Sequence, residues 1–247
     1  MNIVNNKMIQ YLFIASIVFN LLFLIYGIRL IYIKFQTYKS EQILQLNNNN
    51  KLQSKPITYF IGRNELFTKL PNDTNEIIML GNSLTHNFEW SEYFNNVNIK
   101  NRGINGDITK GILNRLDEIT ESKPKKIFIE IGINDLLQGY FVNTIFKNYC
   151  KIVQTIRERS PKTRIYVQNI LPTNLTLFDN PVIDSICVLN NKLKDYSALN
   201  NLKYIDLYTK FMINERLNPK YDCGDNLHLN GAGYLVWCAM IQNYIYE

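Results

Sequence analysis

Three side chains of this 247-residue chain have the chemistry of a nucleophile and its base. Ser83 follows the apolar run IIMLG and Asn82, while Asp225 and His228 lie in the glycine-rich stretch DCGDNLHLNGAGY. In a D-x-x-H turn the carboxylate can accept a hydrogen bond from the imidazole, which fixes the ring tautomer and stabilises the imidazolium. Such a set could activate Ser83 for attack, with His228 as general base and Asp225 as the group that orients it.

Each of these residues also suits an ordinary structural role. Serine is a preferred helix N-cap, Asp225 fits a turn, and His228 fits a loop in which its hydrogen bonds are satisfied. The chain has only two histidines, and His86 lies three residues after Ser83 on the same predicted helix. Local geometry restricts its ring, so we expect His86 at the surface or at the rim of a cleft.

A tetrahedral oxyanion needs fixed donors, and two residues could supply them. Gly103, in KNRGINGD, could offer an unobstructed backbone N–H, and Asn134, in IGINDL, could offer its side-chain amide. Glycine and asparagine are also common turn residues, so turn chemistry is the alternative for both.

The elements that must position these residues are short β-rich runs, which alternate along the chain with segments of helical periodicity. Such alternation predicts an α/β fold with three α/β/α layers and a mostly parallel five-stranded sheet. Ligands of such sheets meet the loops after the carboxyl ends of strands, where Ser83, Gly103 and Asn134 lie. Strands are predicted at 76 to 80, 97 to 101, 126 to 132, 164 to 170 and 203 to 208, and helices at 108 to 120, 144 to 159 and 182 to 199.

Four blocks occur along the chain in the order Ser, Gly, Asn and Asp-x-x-His, and in this the sequence closely resembles the SGNH (GDSL) hydrolase family. MLGNSLTHNFEW is similar to the first block, NRGINGDITKGILNRLDEI to the second, PKKIFIEIGINDL to the third and DNLHLNGAGY to the last. The resemblance runs from about Tyr59 to Tyr234, and it implies the flavodoxin-like version of the fold.

Residue by residue, the resemblance implies Ser83 as nucleophile, His228 as base and Asp225 as the orienting carboxylate. It implies an oxyanion hole formed by the Ser83 N–H, the Gly103 N–H and the Asn134 side chain, with no metal or organic cofactor. His86 has no role in that scheme.

One residue departs from the family pattern. Asn82 stands where the family usually has Asp, giving GNS in place of GDS. Asparagine keeps a side-chain acceptor and loses the charge. We expect activity to be retained with a shifted pH optimum.

The function implied is a membrane-anchored serine esterase that works through an acyl-serine intermediate. We expect it to remove short acyl groups, chiefly acetyl, and to prefer carbohydrate esters as substrates. The resembling branches are carbohydrate O-acetylesterases and enzymes like platelet-activating-factor acetylhydrolase. The alternatives are a lysophospholipase or acyl-thioesterase that takes longer chains, an acyltransferase, and a catalytically silent binding module.

The amino-terminal stretch predicts a membrane anchor. Residues 8 to 28 carry no charge and apolar residues continue to Ile33, which is long enough to span a bilayer. No small-residue cleavage site comes after it, so an uncleaved signal anchor at 8 to 33 is favoured over a signal peptide. The anchor would be preceded by a short tail at 1 to 7. It would be followed by a polar tether or fraying helix at 34 to 56 and by a hydrolase domain at 57 to 247.

Two sequence signals bear on the membrane orientation, and they point in opposite directions. The count of flanking lysines and arginines favours a cytoplasmic domain, whereas a signal anchor with a short amino-terminal tail commonly exports the domain on its carboxyl side. We expect a single-pass membrane protein with an exported domain, periplasmic or extracytoplasmic.

Charge and cysteine content limit the partners. The net charge of +6 is spread over single lysines and arginines, which argues against nucleic acid and is explained by mild attraction to an anionic membrane surface. No GxxxxGK[ST] or GxGxxG loop is present in the sequence, which argues against nucleotides. The four cysteines form no CxxC pair, and disulfide pairing and oligomeric state stay open.

Overall fold

The described part of the chain comprises residues 54 to 177 and 180 to 247 of a computed structural model, with the side chains of 58 to 176 and 182 to 247. By internal contacts the chain divides into the units Met1–Ile57 and Thr58–Glu247. The second unit carries the predicted hydrolase domain and is the one described below.

A five-stranded parallel sheet forms the centre of this unit. The strands of this unit are β1 (Ile77–Gly81), β2 (Ile99–Gly103), β3 (Lys126–Glu130), β4 (Arg164–Gln168), β5 (Thr176–Leu177), β6 (Asn180–Pro181), β7 (Lys203–Ile205), β8 (Met212–Ile213) and β9 (Arg216–Leu217). The order of strands in the central sheet is β2-β1-β3-β4-β7, with every neighbouring pair parallel. Two short antiparallel hairpins lie outside it, β5 with β6 and β8 with β9.

Helices cover both faces of the sheet. The helices are α1 (Ser54–Lys69), α2 (Ser83–His86), α3 (Trp90–Tyr93), α4 (Thr109–Asn114), α5 (Leu116–Glu121), α6 (Ile133–Leu137), α7 (Val142–Arg159), α8 (Ile183–Leu199), α9 (Leu207–Phe211) and α10 (Gly231–Tyr246). On one side α4, α5, α7 and α8 pack against one another, and on the other α10 packs with α9 and with Trp90 of α3.

Burial explains why these sequences fold in this way. All five residues of β1 and of β3 are buried, as expected for strands covered on both faces. Helix α7 buries Ile145, Tyr149, Ile152, Val153 and Ile156, at the three- and four-residue spacing of one helical face. The predicted three-layer α/β/α fold with a parallel five-stranded sheet is therefore confirmed.

The predicted helix at 108 to 120 is wrong in one respect, because it is two helices. The break falls at Arg115, whose backbone leaves helical geometry (φ −121°, ψ 16°). The side chain of Arg115 is buried and binds backbone carbonyls at the ends of β1 and β2. The inward turn of this arginine coincides with the kink between α4 and α5.

The predicted anchor at 8 to 33 and tail at 1 to 7 lie outside the described residues, as does the predicted tether except for its end. Ser54 to Pro56, assigned to that tether, belong to helix α1. Among residues 54 to 177 and 180 to 247, no helix combines the length and apolarity needed to cross a bilayer.

Candidate active site

The first strand exit presents Ser83 at the start of helix α2. Gly81 ends β1 where space is minimal, since a Cβ there would lie 2.3 Å from the carbonyl oxygen of Glu130 and 2.3 Å from Thr85 Oγ1. Asn82 then caps the helix, because its Oδ1 accepts from the Leu84 N–H at 2.9 Å. The alternative that Ser83 is the N-cap is wrong, and its hydroxyl is available for another contact.

That contact is with His228, which is 145 residues away along the chain. The Ser83 Oγ and His228 Nε2 atoms are 2.8 Å apart, and His228 Nδ1 lies 2.5 Å from Asp225 Oδ2. A carboxylate can only accept, so the proton resides on Nδ1 and the Nε2 lone pair faces the serine hydroxyl. The three predicted side chains thus form one hydrogen-bonded chain in the arrangement required for general-base activation of a serine.

The loop before α10 holds Asp225 and His228 in this arrangement. The second carboxylate oxygen, Oδ1, accepts from the backbone N–H groups of Leu227 at 3.0 Å and of His228 at 2.8 Å. At the base of the loop the Cys223 N–H donates to the His228 carbonyl at 2.9 Å, beside a bridge between Asp222 and Leu229. The carboxylate therefore organises its own loop as well as the imidazole.

Hydrogen bonding also keeps Asp225 ionised. Burial alone would raise the pKa of this carboxyl, but donation from the His228 N–H, the His228 ring and the Leu227 N–H outweighs it. These donors hold the pKa of Asp225 well below its usual range. A negative charge is thus maintained beside the imidazole across the physiological pH range.

The second strand exit differs from its prediction. The Gly103 N–H donates to Asn101 Oδ1 at 2.9 Å, so it is not free for a substrate oxygen. Gly103 is needed for close packing instead, since a Cβ there would lie 2.4 Å from the His86 nitrogen and 2.8 Å from the Asn82 carbonyl oxygen. Gly106, three residues later, is exposed, adopts φ +77° and has open space around it.

The third strand exit carries Asn134, the second residue of α6. Its Nδ2 donates to the carbonyl oxygen of Asp107 at 2.8 Å, which links it to the residue after Gly106. An amide group has two N–H bonds, and the bond to Asp107 fixes the direction of the other. Asn134 and the Gly106 loop are therefore tied together at one edge of the sheet.

A buried polar network supports these loops. Arg115 donates to Asp107 Oδ2 at 2.9 Å, to the Arg102 carbonyl at 2.8 Å and to the Gly81 carbonyl at 3.3 Å. Burial raises the pKa of Asp107 to about 6, against the opposing charge of Arg115. The pair joins the ends of β1 and β2 to the Gly106 loop.

A second buried carboxylate, that of Asp135, connects helices α4 and α6. Both oxygens of Asp135 accept from the Thr109 N–H, at 3.2 and 3.0 Å, and Oδ1 also accepts from the Thr109 hydroxyl at 2.5 Å. Burial raises the pKa of Asp135, which these hydrogen bonds counteract. The start of α4 is thereby fixed against α6, the helix that carries Asn134.

His86 has different hydrogen-bond partners and is partly exposed. Its Nδ1 lies 3.2 Å from the Gly103 carbonyl oxygen and its Nε2 lies 3.1 Å from the Tyr59 hydroxyl of α1. Burial, followed by the charge of Arg63, lowers the pKa of His86, so the ring is neutral at pH 7. Its Nδ1–H donates to Gly103 and its Nε2 accepts from Tyr59.

Potential metal ligands occur in the loop before α10, which carries Asp225 and His228. Donor atoms of Asp222, Cys223 and Asp225 lie within 4.8 Å of one another. A cation held there would compete with His228 for Asp225, so it would oppose the hydrogen-bonded chain. The four cysteines, Cys150, Cys187, Cys223 and Cys238, are free thiols.

Glu130 is a feature that the sequence does not single out. It ends β3 opposite Gly81 and is fully buried, and neither carboxyl oxygen has a hydrogen-bond partner among the described residues. Burial raises its pKa to about 8. The only signal in the sequence is a glutamate inside the apolar run KIFIEIG.

Glu130→Gln is expected to stabilise the protein increasingly as pH rises from 5 to 8. The folded carboxyl keeps its proton up to about pH 8, whereas the unfolded one loses it near its ordinary pKa of 4.5. Between these values the wild-type protein loses up to roughly 1.4 kcal/mol of unfolding free energy per pH unit from this group, and the glutamine variant does not. Urea unfolding of both proteins across this range measures the difference. A difference that does not vary with pH would contradict a buried neutral acid.

Comparison with known proteins agrees with this geometry. The sequence pattern of the GDSL-like lipase/acylhydrolase family matches residues 79 to 236. The alpha2 subunit of platelet-activating factor acetylhydrolase IB from Rattus norvegicus is 28% identical over 179 residues, which cover 70% of this chain and 76% of the relative.

Solved structures share the fold. A GDSL-like lipase from Bacteroides thetaiotaomicron superimposes with a TM-score of 0.67 at 22% identity, covering 76% of this chain and 97% of the other. An acetyl-xylooligosaccharide esterase from Geobacillus gives a TM-score of 0.59 at 16% identity, covering 70% and 95%. The chain thus belongs to the GDSL-like lipase/acylhydrolase family and is a carboxylic ester hydrolase.

Proposed function

We propose that this protein hydrolyses short acyl esters, acetyl esters of carbohydrates above all, with Ser83 as nucleophile, His228 as general base and Asp225 as the orienting carboxylate. The observation that carries the proposal is the hydrogen-bonded chain from Asp225 through both nitrogens of His228 to the Ser83 hydroxyl. Folding alone does not require a serine, a histidine and a carboxylate in this alignment.

The reaction has two halves. Ser83 Oγ bonds to the ester carbonyl carbon while its proton passes to His228 Nε2, and the leaving alcohol takes that proton as the ester C–O bond breaks. Water then attacks the acyl-serine, gives a proton to His228 and releases the acid, and the proton returns to Ser83. Asp225 remains ionised and stabilises the imidazolium formed in each half.

We assign the oxyanion hole to the Ser83 N–H, the Asn134 side-chain amide and the Gly106 N–H. Gly106 replaces Gly103 in this role because the Gly103 N–H is already hydrogen-bonded to Asn101. The exposed position of Gly106 and its link through Asp107 to Asn134 support the assignment. Removal of one such donor costs roughly 3 to 4 kcal/mol of barrier in comparable sites.

The names of two similar proteins support acetyl as the acyl group. One is an acetylhydrolase and the other an acetyl-xylooligosaccharide esterase, so relatives with different leaving groups share the acetyl unit. We prefer a carbohydrate as leaving group because a membrane anchor at 8 to 33 with an exported domain would retain the enzyme near glycans. A reporter fused after residue 247 tests that orientation, and a cytoplasmic signal would overturn export.

A longer acyl chain is the second candidate. Tyr140 and Phe141, 46% and 82% exposed, come after α6 at the edge of the sheet that carries Ser83, and such side chains could accommodate an aliphatic chain. A lysophospholipase or thioesterase would use this surface. An acyltransferase would use the same acyl-serine with an alcohol in place of water.

Chain length separates these possibilities. The full-length protein in mild detergent is expected to hydrolyse p-nitrophenyl acetate with a higher kcat/KM than the octanoate and dodecanoate esters, because no long-chain contact is needed for the acetyl group. Initial rates across the series measure this preference. An optimum at dodecanoate would favour the lipid alternative, and product transfer to added alcohols would reveal an acyltransferase.

A further inference from the structure

A cavity of about 160 Å³ lies beside the catalytic loop and has no part in the chemistry described above. It is bounded on one side by the segment after β4 and on the other by the β8–β9 hairpin. Leu175 and Ile183 supply its apolar surface. Its other lining residues are polar or charged: Thr173, Asn174, Thr176, Asn214, Glu215 and Arg216.

The cavity is joined directly to the loop that carries the proposed base. The Thr173 hydroxyl and the Asn174 N–H both donate to the Asn226 carbonyl, at 2.6 and 2.9 Å, and Asn226 lies two residues before His228. The Asn174 side chain also exchanges two hydrogen bonds with the backbone of Leu217, at 3.0 and 3.2 Å. Asn174 thus fixes the hairpin and the catalytic loop relative to each other.

The hairpin presents a charged residue where glycine would be easier to accommodate. Asn214 and Glu215 adopt φ +48° and +61° between two short antiparallel strands, as in a type I′ turn. Asparagine is common in this conformation, whereas glutamate is not, and glycine is the usual second residue. The strain places an exposed carboxylate at the cavity, and strain of this kind clusters at binding sites.

The side chains of the cavity suit a neutral ligand rich in hydroxyl groups. Glu215 accepts hydrogen bonds, Arg216 donates them, and Thr176 and Asn214 do both. Glu215 and Arg216 are exposed and form no ion pair with any described residue, so both are available to a ligand. A lipid chain would gain little from this lining, whereas a sugar would satisfy it.

We propose that this cavity is the subsite for the leaving group, that it binds a carbohydrate hydroxyl face, and that Glu215 and Arg216 are its specificity-determining residues. The proposal rests on the proposed function, because the sugar must be esterified to the acyl group that Ser83 attacks. The turn at Asn214 and Glu215 would present the Glu215 carboxylate to the sugar.

The test compares two substrates, p-nitrophenyl acetate and an acetylated xylooligosaccharide, in the full-length protein. Glu215→Gly and Arg216→Ala are each expected to lower kcat/KM for the sugar ester at least about tenfold more than for p-nitrophenyl acetate, the loss typical of a hydrogen bond to a charged group. Glu215→Gly should also match or exceed the wild-type Tm, because glycine relieves the turn.

Lys123→Gly is the matched control. Lys123 is also exposed with a positive φ, +49°, but lies in the turn before β3. It should gain stability in the same way and leave the ratio of the two kcat/KM values unchanged. An unchanged ratio in both hairpin variants, or wild-type protein that cleaves p-nitrophenyl acetate but not the sugar ester, would overturn the subsite. Absence of wild-type activity on both esters would instead contradict the proposed function.

Discussion

Replacing Ser83 with alanine is expected to lower kcat for p-nitrophenyl acetate roughly 10⁶-fold, as loss of the nucleophile does in serine hydrolases of other folds. The Ser83 hydroxyl is the one placed 2.8 Å from His228 Nε2, so no acyl-enzyme can form without it. His228→Ala should cost about as much, and the double variant little more, because the two residues act as one unit. Initial-rate assays measure kcat, with the concentration of active wild-type sites determined by active-site titration.

Ser91→Ala is the control for this experiment. Ser91 is partly buried in the nearby helix α3, and its side chain has no role in the proposed chemistry. It should retain wild-type kcat. Equal, measurable rates for Ser83→Ala and wild type would exclude a serine mechanism at this position.

Asp225→Asn is the second large effect, with an expected loss in kcat of about 10⁴-fold, as for the equivalent change in other catalytic triads. The amide removes the charge that stabilises the imidazolium, and it can donate to Nδ1 and so impose the wrong tautomer on His228. The loss should appear in kcat more than in KM, because the residue acts in the transition state.

Asp222→Asn is a closely matched comparison. Asp222 lies in the same loop and its Oδ1 also accepts two backbone N–H bonds, from Gly224 at 2.8 Å and from Asn226 at 3.1 Å, but Asp222 has no contact with the His228 ring. Its variant reports the cost of disturbing the loop alone. If both variants lost the same activity, the role of Asp225 would be structural.

Sequence alone predicts most of this candidate site because the topology leaves few choices. Parallel strands bring their carboxyl ends to one edge, so residues after β1 and β3 must converge there, and Ser83 and Asn134 do so. The D-x-x-H spacing allows one carboxylate to bind the next turn of backbone and the ring at once. These local rules require no knowledge of packing.

The features that the sequence could not indicate depend on packing and on backbone direction. The proposed oxyanion hole uses Gly106 in place of Gly103 because the Asn101 side chain accepts from the Gly103 N–H and because His86 lies close to Gly103. Asn82 is visible in the sequence as a departure but not as the cap of α2, and its Nδ2 is buried without a partner among the described residues. Neither fact can be read from residue type.

Burial of titratable side chains is the other feature that residue patterns hide. Glu130 is a fully buried acid inside an apolar strand, and Arg115 is a buried arginine within a segment that the sequence predicts as one helix. Each becomes visible only when the sheet and its covering helices are assembled. Such residues are the ones whose effects on pH dependence and stability a sequence pattern underestimates.

Covalent labelling tests most directly whether Ser83 is the nucleophile. Wild-type protein treated with a fluorophosphonate probe should gain one adduct, and peptide mapping by mass spectrometry should place it on Ser83, with loss of esterase activity in step with labelling. Ser83→Ala should remain unlabelled. Continued ester hydrolysis by protein labelled at Ser83, or an adduct on a different residue that abolishes activity, would contradict the account.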